Sequence, residues 1–168
     1  MKSQKKFTET AYILFGSNLG DRFAQISKAT DLVVKRAGQP VAASSVYETE
    51  PWGFTHQIPF LNKAMSILTH ERPGDLMKIL LSVEKEMGRV RKDTGYNARN
   101  IDIDLLLYGM GIIYRKGLVI PHPRLCERRF ALVPLAEIAP EVRHPVMNKS
   151  IRQLLEECAD TGWVRKFR

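Results

Sequence analysis

The sequence of 168 residues has only two cysteines, Cys126 and Cys158, with no Cys-x-x-Cys motif and no paired His/Cys spacing. This disfavours a zinc site and a disulfide scaffold, and it is typical of a protein in a reducing cytosol. Long hydrophobic runs are also missing. The apolar run at residues 11–15 is too short for a signal-peptide core and far below the roughly 20 residues of a membrane helix. We therefore expect a cytoplasmic protein without membrane contact.

Two common phosphate-binding motifs are absent as well. The glycine-containing loop at residues 16–21 has neither the G-x-x-x-x-G-K-[ST] pattern of a P-loop nor the G-x-G-x-x-G pattern of a dinucleotide fold. By itself this loop predicts only a turn between a strand and a helix.

Acidic residues are fewer than basic ones, which gives a formal net charge of +8. This excess indicates an anionic partner: a nucleic acid, a membrane surface or a phosphorylated small molecule. Linkers, repeats and low-complexity segments are missing. We therefore predict one domain over residues 1–168, with residues 1–9 as a disordered tail, and a monomer.

The most informative stretch is the predicted strand at residues 99–108. Strand side chains alternate between two faces, so Asp102 and Asp104 point the same way. Paired carboxylates suit Mg²⁺, which takes oxygen ligands from one or two carboxylates and from substrate phosphates. The alternative is a structural ion pair between either aspartate and a nearby arginine. The pattern alone leaves both interpretations open.

The residues before this strand are rich in cations. Arg89 and Arg91 have strand-like spacing, and a polar loop containing glycine leads from them to Arg99. Such charge is often only a solvated face. Cations on both sides of a carboxylate pair, however, favour a polyphosphate–metal site with a loop that closes as a lid.

Hydrophobic periodicity predicts the order β-α-β-β-α-β. The strands are expected at residues 11–15, 41–49, 60–69 and 99–108, followed by a small hairpin and two further helices. The buried stripes of the first two helices are predicted to be Phe23, Ile26, Thr30, Val33, Val34 and Ala37, and Leu76, Ile79, Leu80, Val83 and Met87. This order is that of an α+β ferredoxin-like sandwich, with both helices on one face of an antiparallel sheet. The other face or the loop ends are then left for a ligand.

Two other functions fit parts of this pattern. A basic ferredoxin-like RNA-binding module is one, but the K/R-G-F/Y-x-F strand pattern of such modules is absent. A two-metal phosphodiesterase is the other, and it would require more acids or histidines than Glu48, Glu50 and Glu84 offer near the aspartates.

Seven short motifs in order give a more specific indication. They are Gly16-Ser17-Asn18-Leu19-Gly20, Tyr47-x-Thr49-x-Pro51-x-Gly53, Phe60-Leu61-Asn62, Glu84-x-x-x-Gly88-Arg89-x-Arg91, Arg99-x-x-Asp102-x-Asp104, Pro121-His122-Pro123 and Glu127-Arg128-x-Phe130. On these motifs, nearly the whole chain resembles the 6-hydroxymethyl-7,8-dihydropterin pyrophosphokinase family of folate biosynthesis.

The resemblance implies transfer of the β,γ-diphosphate of ATP to the hydroxymethyl oxygen of the pterin, with release of AMP. It implies Asp102 and Asp104 as ligands of two Mg²⁺ ions, and Arg89 and Arg99 as catalytic cations on the triphosphate. It places further ATP contacts at Glu84, Arg91, Lys92, Leu105, His122 and Arg128. It places the pterin pocket at Thr49, Glu50, Trp52, Phe60, Asn62, Tyr96 and Phe130.

Two positions depart from the family pattern. Tyr96 stands where tryptophan is frequent, and a tyrosine ring still stacks but covers less area. Gly117 stands where some members carry an arginine, for which Arg115 or Lys116 is the expected replacement.

Overall fold

The structure, a computed structural model, describes residues 8–89 and 98–167. Its strands are β1 (Glu9–Ser17), β2 (Gln39–Ala43), β3 (Tyr47–Thr49), β4 (Phe60–Thr69), β5 (Asp102–Tyr108), β6 (Ile113–Arg115), β7 (Leu118–Ile120) and β8 (Val164–Lys166). Its helices are α1 (Arg22–Ala37), α2 (Pro73–Glu86), α3 (Arg129–Ile138) and α4 (Ile151–Glu157). The ferredoxin-like order is confirmed, and the β6–β7 hairpin follows it as expected.

The main sheet has six strands in antiparallel pairs. Its order is β5-β1-β4-β3-β8, and β2 pairs with β4 alongside β3. The single strand predicted over residues 41–49 is wrong in its extent, because the chain breaks into β2 and β3. At the break, Ser44 N donates to Ala64 O and Ser44 Oγ accepts from Ala64 N, each at 2.9 Å. A side chain thus replaces a backbone acceptor and interrupts the ladder.

Helices α1 and α2 cover one face of the sheet. The buried residues of α1 are Ile26, Ala29, Val33 and Ala37, against Leu76, Leu80 and Val83 of α2. The prediction that Phe23 belongs to the buried stripe is wrong, since it is 39% exposed. At 100° per residue, Phe23 lies to one side of the line through the four buried residues.

Helix α3 covers part of the opposite face, where Leu132 and Leu135 join Leu14, Ala64 and Leu106 in a second core cluster. Helix α4 packs on α3 and begins with a capping box, in which Ser150 and Gln153 each accept a hydrogen bond from the other's backbone N–H. The rest of this face, at the start of β5 and the end of β1, is left uncovered by these helices. The functional residues discussed below lie there.

Strand β8, which the sequence did not predict, adds an ion pair at the sheet edge. Glu48 on β3 accepts from Arg165 of β8 at 2.5 Å and from Arg22 of α1 at 3.1 Å, and its side chain is 11% exposed. The hydrogen bond from Arg165, aided by Arg22, lowers the pKa of the Glu48 carboxyl despite its burial.

This lowered pKa predicts a specific pH dependence of stability. Glu48 is protonated in the unfolded chain at a higher pH than in the folded one, so its contribution is complete above about pH 4.5 and is lost as the pH falls through the folded pKa. We expect the free energy of unfolding to fall more between pH 5 and pH 3 in the wild type than in the Glu48→Gln variant. Urea titrations at both pH values measure this difference, and parallel losses in the two proteins would contradict it.

Candidate active site

Asp102 and Asp104 lie on the uncovered face of the sheet, as their spacing predicts. Their partners on β1 are Gly16 and Leu14. Gly16 is closely approached by a neighbouring strand, because a Cβ at this position would lie 2.9 Å from Asn62 Oδ1. The glycine therefore lets the amide of β4 and the carboxylates of β5 share one cavity.

Among the described residues, three arginines lie beside the two aspartates. Arg89 donates to Asp102 Oδ1, Arg99 Nη1 donates to Asp102 Oδ2 at 2.9 Å, and Arg128 Nη1 lies 3.6 Å from Asp104 Oδ2. The structural ion pair that the sequence left open is thus present. It does not exclude a metal site, because the same guanidinium groups can turn to phosphate oxygens.

The two aspartates differ in their electrostatic surroundings. Burial, followed by the neighbouring charge of Asp102, raises the pKa of Asp104 to about 7. Arg128 opposes this shift but does not cancel it. Additional positive charge beside Asp104 is therefore electrostatically favoured.

Asn18, in the loop after β1, holds Arg99 in place. Its Oδ1 accepts from Arg99 N at 2.7 Å and its own N–H donates to Arg99 O at 3.0 Å. The sequence predicted only a turn for this loop, so the contribution of Asn18 was missed. The Gly16–Gly20 motif was its only signal.

The carboxylates open into a cavity of about 160 Å³. Twelve predicted site residues line it: Thr49, Glu50, Trp52, Phe60, Asn62, Arg89, Arg99, Asp102, Asp104, His122, Arg128 and Phe130. They are joined by Leu14, Gly16 and Phe54, which the sequence analysis did not assign to the site. These twelve side chains, some expected to bind phosphate and others pterin, thus lie around one space.

Two predicted ATP contacts lie elsewhere. Glu84 is buried on α2, where its Oε1 accepts from Arg89 Nη1 at 2.6 Å and from Ile103 N at 2.8 Å. Leu105 has its side chain in the core under α1 and α2, because it points away from the face of Asp104. Glu84 is thus placed to support Arg89, and the Leu105 side chain is not placed to touch a nucleotide in the cavity.

Aromatic rings and one amide form the other end of the cavity. Trp52 and Phe130 meet edge to face with centroids 6.3 Å apart, and the Arg128 guanidinium lies 4.9 Å from the Trp52 centroid. Asn62 Nδ2 donates to Thr49 Oγ1 at 2.8 Å. This bond orients the amide so that its Oδ1 faces Gly16 and the cavity.

His122 is held as a neutral imidazole. Burial, together with Arg128, lowers its pKa to about 4. Its Nδ1 accepts from Arg124 N at 3.2 Å, so the ring proton lies on Nε2. At neutral pH this side chain is a hydrogen-bond donor rather than a cation.

The remaining predictions are not placed in the cavity. Arg91, Lys92 and Tyr96 lie outside the described residues. The Arg115 guanidinium packs against Gly74 at the start of α2, and neither Arg115 nor Lys116 lines the cavity. The expected replacement for an arginine at position 117 therefore gains no support.

Residues 8–89 and 98–167 contain no group of three or more His, Cys, Asp or Glu side chains able to hold a metal ion. The ligand set of the two-metal phosphodiesterase alternative is thus missing from these residues. Within the same ranges, no helix is both long and apolar enough to cross a bilayer.

A ferredoxin-like sandwich with paired carboxylates among arginines, beside an aromatic pocket, has the groups that a nucleotide-dependent phosphoryl- or diphosphoryl-transfer enzyme uses. A sequence model of the family described as 7,8-dihydro-6-hydroxymethylpterin-pyrophosphokinase matches residues 12–140. The chain belongs to this family, and it is accordingly an ATP-dependent diphosphotransferase. Membership supports this activity over the RNA-binding and phosphodiesterase alternatives.

The names of individual proteins similar to this chain agree with the family match. The chain is similar to proteins named 2-amino-4-hydroxy-6-hydroxymethyldihydropteridine pyrophosphokinase from Porphyromonas gingivalis, at 40% identity over 80% of this chain and 92% of the relative. Relatives of the same name come from Methylorubrum extorquens, at 40% identity over 90% and 95% of the two chains, and Bacillus subtilis, at 41% over 79% of each.

Solved structures support the fold. The chain aligns with wild-type Plasmodium falciparum HPPK-DHPS with a TM-score of 0.74 and 16% identity, over 92% of this chain. A triple mutant of that protein gives a TM-score of 0.76 at 18% identity. The chain spans 45% of the length of each of these proteins.

Proposed function

We propose that this chain transfers the β,γ-diphosphate of ATP to the hydroxymethyl oxygen of 6-hydroxymethyl-7,8-dihydropterin and releases AMP in folate biosynthesis. One observation carries the proposal: Asp102 and Asp104, among Arg89, Arg99 and Arg128, open into the same cavity as Asn62 and the aromatic residues. Charged groups for a triphosphate and flat, hydrogen-bonding walls for a pterin are thereby adjacent. Adjacent binding is what an in-line transfer between two substrates requires.

The donor set fits Mg²⁺. Two carboxylates on one strand face, one of them with a pKa raised to about 7 by burial and by its neighbour, provide oxygen ligands where positive charge is favoured. Asp102 and Asp104 would hold the metal, and we propose two ions. When bound, Mg²⁺ offsets phosphate charge and lowers the pKa of the attacking alcohol.

The arginines act on the phosphates. Arg89 and Arg99 now donate to Asp102, and both line the cavity. A guanidinium can bind two phosphate oxygens at once and keeps its charge throughout the reaction. These two residues steady the triphosphate and stabilise the charge that develops on the transferred group. His122 Nε2 and Arg128 add donors on the nucleotide side.

The pterin is held by contacts with aromatic rings and by hydrogen bonds to one side-chain amide. Phe60, Phe130 and Trp52 offer ring faces and edges to the heteroaromatic ring. Asn62, oriented by Thr49, presents Oδ1 to accept from the N–H groups of the pterin edge. We propose no protein base: His122, with its pKa lowered to about 4, is a weak acceptor for an alcohol proton.

Chromatography of the nucleotides tests the proposal directly. The protein is incubated with ATP, Mg²⁺ and the reduced 6-hydroxymethylpterin. AMP that forms in step with pterin diphosphate, and only when the pterin is present, supports it. ADP would indicate attack on the terminal phosphorus by an ordinary kinase, and unchanged ATP would contradict the proposed function.

We also propose that the enzyme is a cytoplasmic monomer with one catalytic domain. Sedimentation analysis tests the oligomeric state.

Asn62→Ala tests the pterin end. Loss of a directional hydrogen bond in a buried site is expected to raise the KM for the pterin about ten- to a hundredfold, with the KM for ATP little changed. Initial rates with each substrate varied in turn measure this split. Ser66→Ala, a buried polar change on the same strand and face, is the control. Equal increases in both KM values would contradict a specific pterin role for Asn62.

A further inference from the structure

Residues 160–167, which we call the C-terminal clasp, lie against the beginning of the loop after β3, residues 50–59. Within the clasp, β8 pairs with β3 so that Val164 is opposite Thr49, and Phe167 N donates to Val46 O at 2.8 Å. The family match ends at residue 140, so the clasp lies beyond it. Its function was not predicted from the sequence.

Two carboxylates bind consecutive backbone amides of the clasp. Asp160 Oδ1 accepts from Gly162 N and Glu50 Oε1 accepts from Trp163 N, each at 2.9 Å. Asp160 Oδ2 also accepts from Arg129 N at 3.0 Å, at the start of α3. The Glu50 carboxylate, predicted to bind pterin, is therefore directed to the clasp.

Gly162 is the residue that permits this arrangement. A Cβ at this position would lie 2.9 Å from Glu50 Oε1 and 3.0 Å from Asp160 Oδ1. Both obstacles are ends of flexible side chains, so an alanine displaces the carboxylates without disturbing the backbone. A methyl group at residue 162 thus acts on both carboxylates, and of the two only Glu50 belongs to the loop after β3.

A second cavity of about 210 Å³ lies beside the residues that form the pterin end of the site cavity. It lies between the clasp and the loop after β3, and it shares Thr49, Glu50, Trp52 and Phe130 with the site cavity. Space rather than packed side chains lies on the clasp side of these residues. The hydrogen bond from Trp163 N to Glu50 is therefore a main contact that holds the start of this loop from the clasp side, while Trp52 packs on Phe130 from the other.

We propose that Glu50 and the Trp163 amide are positioning groups for the pterin. By fixing the start of the loop, they set the distance of Trp52 and Thr49 from the ring, and they do not touch the nucleotide side. This inference rests on the proposed function, since it assigns the pterin to this end of the cavity.

Matched variants of the full chain test the clasp. Gly162→Ala displaces the carboxylates of Glu50 and Asp160, whereas Trp163→Pro removes, of the two clasp amides, only the one from which Glu50 accepts. Trp163→Ala removes the indole but keeps that amide, and Thr161→Ala is an exposed neighbouring change. The readouts are the KM for pterin, the KM for ATP, the melting temperature, and the pterin Kd from tryptophan fluorescence for the variants that retain Trp163.

We expect Gly162→Ala and Trp163→Pro to raise the KM for pterin about tenfold, the effect of one charge-assisted hydrogen bond. The KM for ATP should stay within about twofold, and Gly162→Ala should melt close to the wild type. Thr161→Ala should leave both KM values near those of the wild type, and Trp163→Ala, which keeps the amide, should change the KM for pterin less than Trp163→Pro does.

Two outcomes would overturn the inference. One is an unchanged KM for pterin in both Gly162→Ala and Trp163→Pro, and the other is an equal rise in both KM values with a lower melting temperature. A wild type that binds pterin but releases no AMP would contradict the proposed function alone, and the pterin Kd of Gly162→Ala would still decide on the clasp. A wild type that does not bind pterin would contradict both.

Discussion

Asp104→Asn is expected to lower kcat about a thousandfold while leaving the melting temperature equal to or above that of the wild type. The asparagine keeps the shape of the side chain but removes the charge on which metal binding depends. Burial and Asp102 already raise the pKa of Asp104 to about 7, so its charge is costly in the folded protein. Removing that charge costs function rather than stability.

AMP release at saturating ATP and pterin, over a range of Mg²⁺ concentrations, measures this effect, and calorimetry measures the melting temperature. Asp31→Asn, an exposed change on α1, is the control and should retain full turnover. Turnover of Asp104→Asn within about tenfold of the wild type corresponds to an increase of less than roughly 1.4 kcal/mol in the activation free energy, and it would contradict the metal-ligand role of Asp104.

The local sequence pattern was sufficient to predict that the two aspartates lie on one face of a strand. Two residues apart on a strand, Asp102 and Asp104 had to share a face, and the structure places them opposite Gly16 and Leu14. The ion pairs with Arg89 and Arg128 come from other elements, so spacing along the chain did not reveal them. Only the resemblance predicted that Thr49, Asn62 and Phe130 line one cavity. Their proximity depends on how separate elements pair, which no local pattern contains.

Elements that depend on long-range pairing were missed. Strand β8 has three residues, and it forms because β3, more than 110 positions earlier, offers a free edge. The break at Ser44 likewise requires the Ala64 backbone, which no local pattern contains. The resemblance implied ATP contacts for Glu84 and Leu105 because of their positions in the sequence. Both side chains are buried in the structure, and burial decides which groups they contact.

Arg89→Ala is the second change with a large expected effect, and it should act on both turnover and stability. Arg89 bridges the buried Glu84 and Asp102, and its own side chain is 12% exposed. Its removal takes a positive charge from the triphosphate, for an expected loss of about a thousandfold in kcat. It also leaves the Glu84 carboxylate without this guanidinium, for an expected loss of about 3–5 kcal/mol in the free energy of unfolding.

The double variant Arg89→Ala/Glu84→Gln separates the two effects. A glutamine retains an oxygen that accepts from Ile103 N but carries no buried charge, so most of the lost stability should return. Turnover should remain low, because the guanidinium is still missing from the cavity. Arg36→Ala, which breaks a surface pair with Glu86, is the control and should cost at most about 1 kcal/mol. If the double variant regained turnover together with stability, Arg89 would act only by holding the fold, and phosphate binding would have to fall to Arg99 and Arg128.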